Sequence, residues 1–427
     1  MAFAPAELAK AKPGSPQPAN PESGSIETRQ SWVVALVALA ILSLSYGAPL
    51  VAVVALKPIA AELGSDRSAP TIAGSLAYLG SGLGGIMMGW LAERIGVRAV
   101  VTFGAVMVGI GLYVASQGGL TSLYLGYGLL VGLVGTSGMF APLMTYVTRW
   151  FDRKRGTAVA LISSGQYIAG TIWPALIQLG IDAYGWRLTM ASFGLLVAVT
   201  VVPLALVFLR RPPEYDALDA ASSGPPSGEP VLGLKPNFVL GVLALATFFC
   251  CVTMSMPLQH LVAFCSDLGF ATSHGPAMLS LLLACAFLSR QFWGWLADRI
   301  GGLRTVLATS VCQAIAMSLF LTTQSEYGLF TVSAIFGFGF AGLIPGYVLT
   351  VRELFPAREA SWRIPMILFL GLTGMAAGGW LAGAMYDYFG HYAPAFLAGI
   401  VANLANLALI GALVWRSRLP GYRPAFA

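Results

Sequence analysis

Arg290 stands in the apolar run LLLACAFLSRQFWGWLADR, eight residues before Asp298. On a helix rising about 1.5 Å per residue, that separation is about 12 Å. A guanidinium that deep in a hydrocarbon layer costs at least about 2.5–3.5 kcal/mol and usually faces a cavity or a partner. No Asp or Glu falls near the middle of any long apolar run of this chain, so no fixed carboxylate partner is legible. An anion that comes and goes would satisfy the charge, and the planar fork of a guanidinium suits a carboxylate. The plainer alternatives are that Arg290 snorkels to the nearer interface or pairs structurally. His260, in MSMPLQHLVAFCSDLG, is the one histidine of three inside an apolar run. An ordinary pKa near 6.5 makes it a candidate for proton coupling or substrate contact, against a simple hydrogen bond to a neighbouring helix. Tyr46, Tyr146, Gln166, Tyr167, Tyr347 and Trp380, together with Tyr78, lie on apolar runs. Aromatic walls with a few polar tips suit a small acid with an apolar body, although such residues also serve as interface anchors.

None of this is enzyme chemistry. The chain has no phosphate-cradling GxxxxGK[ST] loop, no HExxH and no GxSxG elbow. No catalytic residue, metal or cofactor is expected. The five cysteines, Cys250, Cys251, Cys265, Cys285 and Cys312, lie in or beside apolar runs without CxxC spacing and read as small packing residues.

The elements that must position Arg290 are set by composition. Hydrophobic residues make up 57% of the 427 and charged residues only 10%, with a mean hydropathy of +0.77. Water cannot solvate such a surface but lipid can, so the expected fold is an all-α membrane protein. Apolar runs of roughly 20 residues or more fall at 32–56, 70–92, 99–117, 120–146, 156–178, 188–209, 237–262, 276–297, 304–323, 327–350, 363–385 and 392–415, predicting twelve transmembrane helices. Residues 1–30, with Pro13, Pro16, Pro18 and Pro21, read as a disordered cytoplasmic tail. A Pro-, Gly- and acid-rich linker is expected over 212–236, between six-helix bundles at 31–211 and 237–416, with a second tail at 417–427. Of 24 Lys and Arg, Lys57, Arg67 and Arg187 fall on one side, Arg290 lies inside a run, and the remaining 20 share the side of both termini. That bias predicts cytoplasmic termini. It also accounts for the net charge of +6 without nucleic acid.

The halves repeat one another. Gly89, Arg94 and Gly96 map onto Gly294, Arg299 and Gly301, Phe151 onto Phe355, and Asp182 and Gly185 onto Asp387 and Gly390, at an offset of 204 or 205. In the duplicated GWLAERIG and GWLADRIG, Gly89 and Gly294 precede Glu93 and Asp298 by a turn. The glycines would admit a neighbouring helix, and the carboxylate with the following Arg94 or Arg299 could latch or cap its end.

Parallel duplication of six-helix halves is the plan of the major facilitator superfamily, and the chain resembles a transporter of that family over nearly its whole length. RWFDRKRGTAVALISSGQYIAGTIWP (Arg149–Pro174), IDAYGWR (Asp182–Arg187), SYGAP (Ser45–Pro49) and the spacing of Arg290, Gly294, Asp298 and Arg299 are similar to its monocarboxylate-porter and oxalate/formate-exchanger branch. The resemblance implies that Arg290 binds the substrate carboxylate and that Gly89, Glu93, Arg94, Gly294, Asp298 and Arg299 form a gate controlling opening toward the cytosol. The chain departs from that branch at Leu50, where proton-coupled members often carry Lys, and at Ala286, where many carry Asp. It has no second cation in Ile364–Trp380. The expectation is secondary transport of a small monocarboxylate-like anion by alternating access, as exchange or proton-coupled symport. The alternative is a drug or neutral-solute/H+ porter of the same fold. Its partners would be the small carboxylate, the lipid bilayer and, as a candidate coupling ion, protons. A monomer in a bacterial inner membrane is expected.

Overall fold

The computed structural model describes residues 27–151, 154–210 and 230–418. The predicted tail over 1–30 and linker over 212–236 lie mostly outside the described residues, as does the C-terminal tail from 419. Among the described residues, eleven helices are long and apolar enough to cross a membrane. One of them, Thr157–Phe208, has 52 residues, far longer than the roughly 20 that a bilayer needs. It turns back at Gly185, whose φ of 78° and ψ of 163° break the helix. Twelve crossings result: α1 (Arg29–Val54), α2 (Ser68–Ile95), α3 (Val97–Gln117), α4 (Leu120–Thr148), α5 (157–184), α6 (186–208), α7 (Pro236–Asp267), α8 (His274–Ile300), α9 (Gly302–Thr322), α10 (Glu326–Leu354), α11 (Ala357–Phe389) and α12 (Ala393–Arg416). The predicted loop between the fifth and sixth spans is helical up to that single glycine.

The repeat is carried in the backbone. Gly96 joins α2 to α3 at φ 91°, and Gly301 joins α8 to α9 at φ 83°. Only a residue without Cβ adopts such angles cheaply, so each helix pair turns on one residue. The starts of α1 and α7 and the ends of α6 and α12 share one end of the bundle, termed basal here. The opposite end is distal. The described part of the link turns tightly at Val231–Leu234 and takes a 2.9 Å hydrogen bond from Arg416 Nε at Leu232 O.

Helices α1–α6 enclose one apolar core and α7–α12 another. Large apolar side chains such as Ile86, Leu179 and Leu195 are left outside, as suits a lipid-facing surface. Without a strong hydrophobic drive between helices in lipid, packing depends on small residues. Gly80 and Gly84 of α2 lie directly against the backbone of α4, which runs π-helically over Leu125–Thr136. A Cβ on Gly84 would strike the carbonyl of Leu133, and backbone cannot swing aside. Gly84→Ala is therefore expected to cost about 1–3 kcal/mol, the range for overpacking, seen as a lower unfolding temperature in detergent. Gly411→Ala, where a Cβ meets nothing within 4 Å, should leave it unchanged.

Candidate functional site

The halves meet where α2 faces α11, α5 faces α8 and α1 faces α7. At the second of these seams Gly170 lets α5 approach Leu283 of α8. Seven residues beyond Leu283 on α8, Arg290 lies half-buried with its guanidinium carbon 5.2 Å from the centre of the Tyr167 ring of α5. Among the described residues no carboxylate lies within 4 Å of Arg290. The Tyr167 ring in turn meets Phe340 of α10 at 6.4 Å. Tyr46 of α1, packed edge-on against Phe140 at 5.7 Å, lies within electrostatic range of Arg290, Tyr167 and Tyr78. Arg290 thus faces the phenol of Tyr167 on α5, with Tyr46 of α1 nearby. A π-face attracts a cation but leaves the hydrogen-bonding edge of a guanidinium unspent.

The distal end carries a second cluster, between the halves. Arg67, immediately before α2, grips both oxygens of Asp267 at the end of α7, with Nη2 2.6 Å from Oδ1. Lys57 reaches the same carboxylate at 3.0 Å and Ser266 Oγ at 2.8 Å. The Asp387 carboxylate of α11 accepts the backbone N–H groups of Arg67 and Ser68, both at 2.8 Å. It therefore caps the N-terminus of α2, where the helix dipole favours an anion. Arg67 also donates to Tyr392 Oη at 3.1 Å and stacks on Tyr386 at 3.7 Å. Below this layer Ser75 Oγ of α2 donates to Ala376 O of α11 at 2.7 Å. The remaining distal cation, Arg187, donates to Glu62 at 2.6 Å, and this bond holds the Glu62 carboxyl below its usual range.

The Major Facilitator Superfamily profile matches residues 33–361. The chain belongs to the major facilitator superfamily. It is a multi-pass membrane transporter, not an enzyme. Within the superfamily it is similar to monocarboxylate transporter 13 of Rattus norvegicus, with 28% identity over 76% of this chain and 74% of the relative. To monocarboxylate transporter 11 of Mus musculus it is 29% identical over 90% of this chain and 86% of the relative. A solved bacterial homolog of the human lysosomal transporter Spinster, in an inward-facing and occupied conformation, superposes with a TM-score of 0.70 at 15% identity, covering 92% of this chain and 98% of that one.

In this facilitator the predicted pocket residues divide. Tyr46 and Tyr167 gather about Arg290. Gln166 precedes Tyr167 on α5 and is half-buried, with no hydrogen bond to another described residue. Tyr146 does not join them: it donates to Arg210 O at 2.6 Å, pinning the basal end of α4 to the segment after α6. Tyr347 is fully buried inside the second half, donating to Asn406 Oδ1 at 2.6 Å. Trp380 is 47% exposed on the outside of α11; its helical phase turns it away from the interface. His260 lies at the distal end of α7, bonded to Gly379 O and Tyr392 Oη, so it belongs with the distal cluster.

The predicted gate is not latched in this conformation. A Cβ on either Gly89 or Gly294 would meet nothing within 4 Å, so no helix crowds them. Glu93 reaches Arg149 of its own half at 3.8 Å, with both side chains largely exposed. Arg94 and Arg299 lie over Trp90 and Trp295, one turn back, at 3.8 and 4.1 Å. Asp298 makes no ion pair with a described residue. The cap foreseen for the duplicated loop is made instead by Glu353, whose carboxylate accepts Gly302 N–H at 2.9 and 3.0 Å.

Sequence reasoning also missed Arg363. It is 3% exposed, held by Glu359 one turn back at 2.7 Å and by Asn237 at 3.2 Å. It differs from Arg290 in being paired. Lys57, Arg67 and the repeated Asp387 of the distal cluster stand out in the sequence as distal charges, but nothing in one-dimensional spacing joins them.

Proposed function

We propose that this transporter carries a small organic monocarboxylate by alternating access, with Arg290 as the carboxylate ligand and Tyr46, Tyr167 and Gln166 around it. The observation that carries the reading is a guanidinium deep on α8, at the seam between halves, that faces a tyrosine ring and no carboxylate. The relatives named for monocarboxylate transport support the same substrate class. Bound carboxylate would neutralise the cation and lower the cost of closing the halves around it. The empty carrier keeps an unpaired charge and should reorient poorly, which favours exchange over net flux. His260 is bonded to Gly379 O and Tyr392 Oη in the distal cluster, which supports assigning it a role apart from the substrate. The distribution of Lys and Arg supports cytoplasmic termini, with the distal end outside.

The test is uptake into proteoliposomes of labelled lactate, pyruvate, formate, oxalate and aromatic acids, with and without unlabelled acid inside and with an imposed pH gradient. Uptake that requires internal acid is the expected result. Uptake into empty vesicles driven by external acid would replace exchange with proton symport. Failure to take up any carboxylate would end the anion reading.

A further inference from the structure

We propose that His260 is a proton-binding site which must be empty for the distal gate to shut, so that acid outside holds the gate open. The inference rests on the alternating-access reading and its orientation, and it comes from the donors and acceptors around the ring. Gly379 O can only accept, so the His260 nitrogen 2.8 Å away, Nε2, carries the hydrogen. Arg67 can only donate, so its 3.1 Å bond occupies a lone pair of the Tyr392 hydroxyl. That hydroxyl is left to donate to His260 Nδ1, 3.0 Å away. In the shut gate the imidazole is neutral with both nitrogens satisfied.

A proton added at Nδ1 would confront the Tyr392 hydrogen. The hydroxyl would have to turn and accept from two cations at once, around a ring with 0% exposure. Compensation is not at hand. Asp267 is engaged by Arg67 and Lys57, and Asp387 by the start of α2. Tyr386 lies under Arg67, and His391, beside Tyr392, is exposed.

The two sides of this arrangement part when the gate opens. Lys57 and Arg67 belong to the first half; His260, Asp267, Asp387 and Tyr392 belong to the second. Opening removes Arg67 and admits water, and the ring then titrates as an ordinary imidazole near pH 6.5. A proton bound in the open state must leave before closure, toward the side from which it came. His260 therefore senses external acidity and does not ferry a proton across.

The experiment reads the gate without substrate, so its outcome is independent of the carboxylate reading. Spin labels are placed on Thr121→Cys and Gln324→Cys, distal positions on opposite halves, after the five native cysteines are replaced by alanine. Double electron–electron resonance in nanodiscs then gives the ratio of open to shut distal ends. A single site of ordinary pKa that binds its proton only in the open state raises that ratio by about 30-fold between pH 8 and pH 5. Carboxylates titrate mainly below that window. The response should vanish in His260→Gln and persist in His274→Gln and His391→Gln. A ratio independent of pH, or a response that survives in His260→Gln, overturns the proposal. Should His260→Gln not fold, 15N-histidine NMR of the unsubstituted chain decides. Of its three imidazoles, one should be the neutral Nε2–H tautomer at pH 8 and should lose that signal only in step with the rise of the open population as the pH falls; protonation of that imidazole at a fixed ratio of open to shut ends overturns the proposal.

Discussion

Arg290→Gln, inserted at the wild-type level, is expected to lose carboxylate exchange by about 100-fold or more. A hydrogen bond to a charged group contributes about 1.5–3 kcal/mol, a guanidinium can offer two in parallel to one carboxylate, and each 1.4 kcal/mol is about tenfold in affinity. Glutamine keeps a donor but neither the charge nor the fork. Arg290→Lys keeps the charge alone and should fall between the two, about tenfold down. The readouts are initial rates of counterflow and substrate protection of the purified protein against thermal unfolding. Protection separates binding from reorientation: a Gln variant that still binds but does not exchange would assign Arg290 to the conformational step. Normal exchange by Arg290→Gln would remove the carboxylate from this site altogether. Trp380, facing outward, gives the contrast, since its truncation should leave binding intact.

The contrast between Arg290 and Trp380 also marks what was readable in one dimension. Hydrophobic runs interrupted by charge located all twelve crossings, because lipid demands unbroken internal hydrogen bonding over a fixed thickness. Arg290 was legible for the same reason: charge is so costly in that layer that one residue stands out. Which face of a helix a residue occupies was less legible. Lipid-facing and buried positions are both apolar here, so no amphipathic stripe tells Trp380 on the outside of α11 from Tyr167 at the seam. Arg363 escaped notice because it opens the apolar run 363–385 and was counted with the basal cations, whereas α11 begins at Ala357 and carries it six residues inside a helix. The expectation for Gly89 and Gly294 was tied to one conformation. In this conformation those positions meet nothing. Close approach is found instead at Gly170 against Leu283 and Gly383 against Thr71.

Asp267→Asn should bring the second large effect, release of the distal end. Arg67 and Asp267 are 200 residues apart in sequence, and each alone reads as a loop charge. Together they make a two-pronged bond with side chains only 13% and 20% exposed, and Lys57 joins from the same half as Arg67. Asparagine of the same size removes the charge and leaves two cations facing each other without their common partner. Exposed ion pairs contribute little; this one is mostly withdrawn from solvent and geometrically specific, so about 1.5–3 kcal/mol is the fitting scale. A shift of that size changes a two-state ratio by roughly 10- to 150-fold. Ser75 reports it. Its hydroxyl is buried against Ala376 O of the other half, so a cysteine there is shielded until α2 and α11 part. In a cysteine-free background, Ser75→Cys should react with an impermeant maleimide added outside at least about tenfold faster when Asp267 is Asn. Exchanging the pair, as Arg67→Asp with Asp267→Arg, should slow labelling only in part, since Arg67 also engages Tyr386 and Tyr392 and an aspartate in its place engages neither. Labelling no faster in Asp267→Asn than in the parent would show that apolar contact along α2 and α11 holds the distal end shut, and that the ion pair is incidental to it.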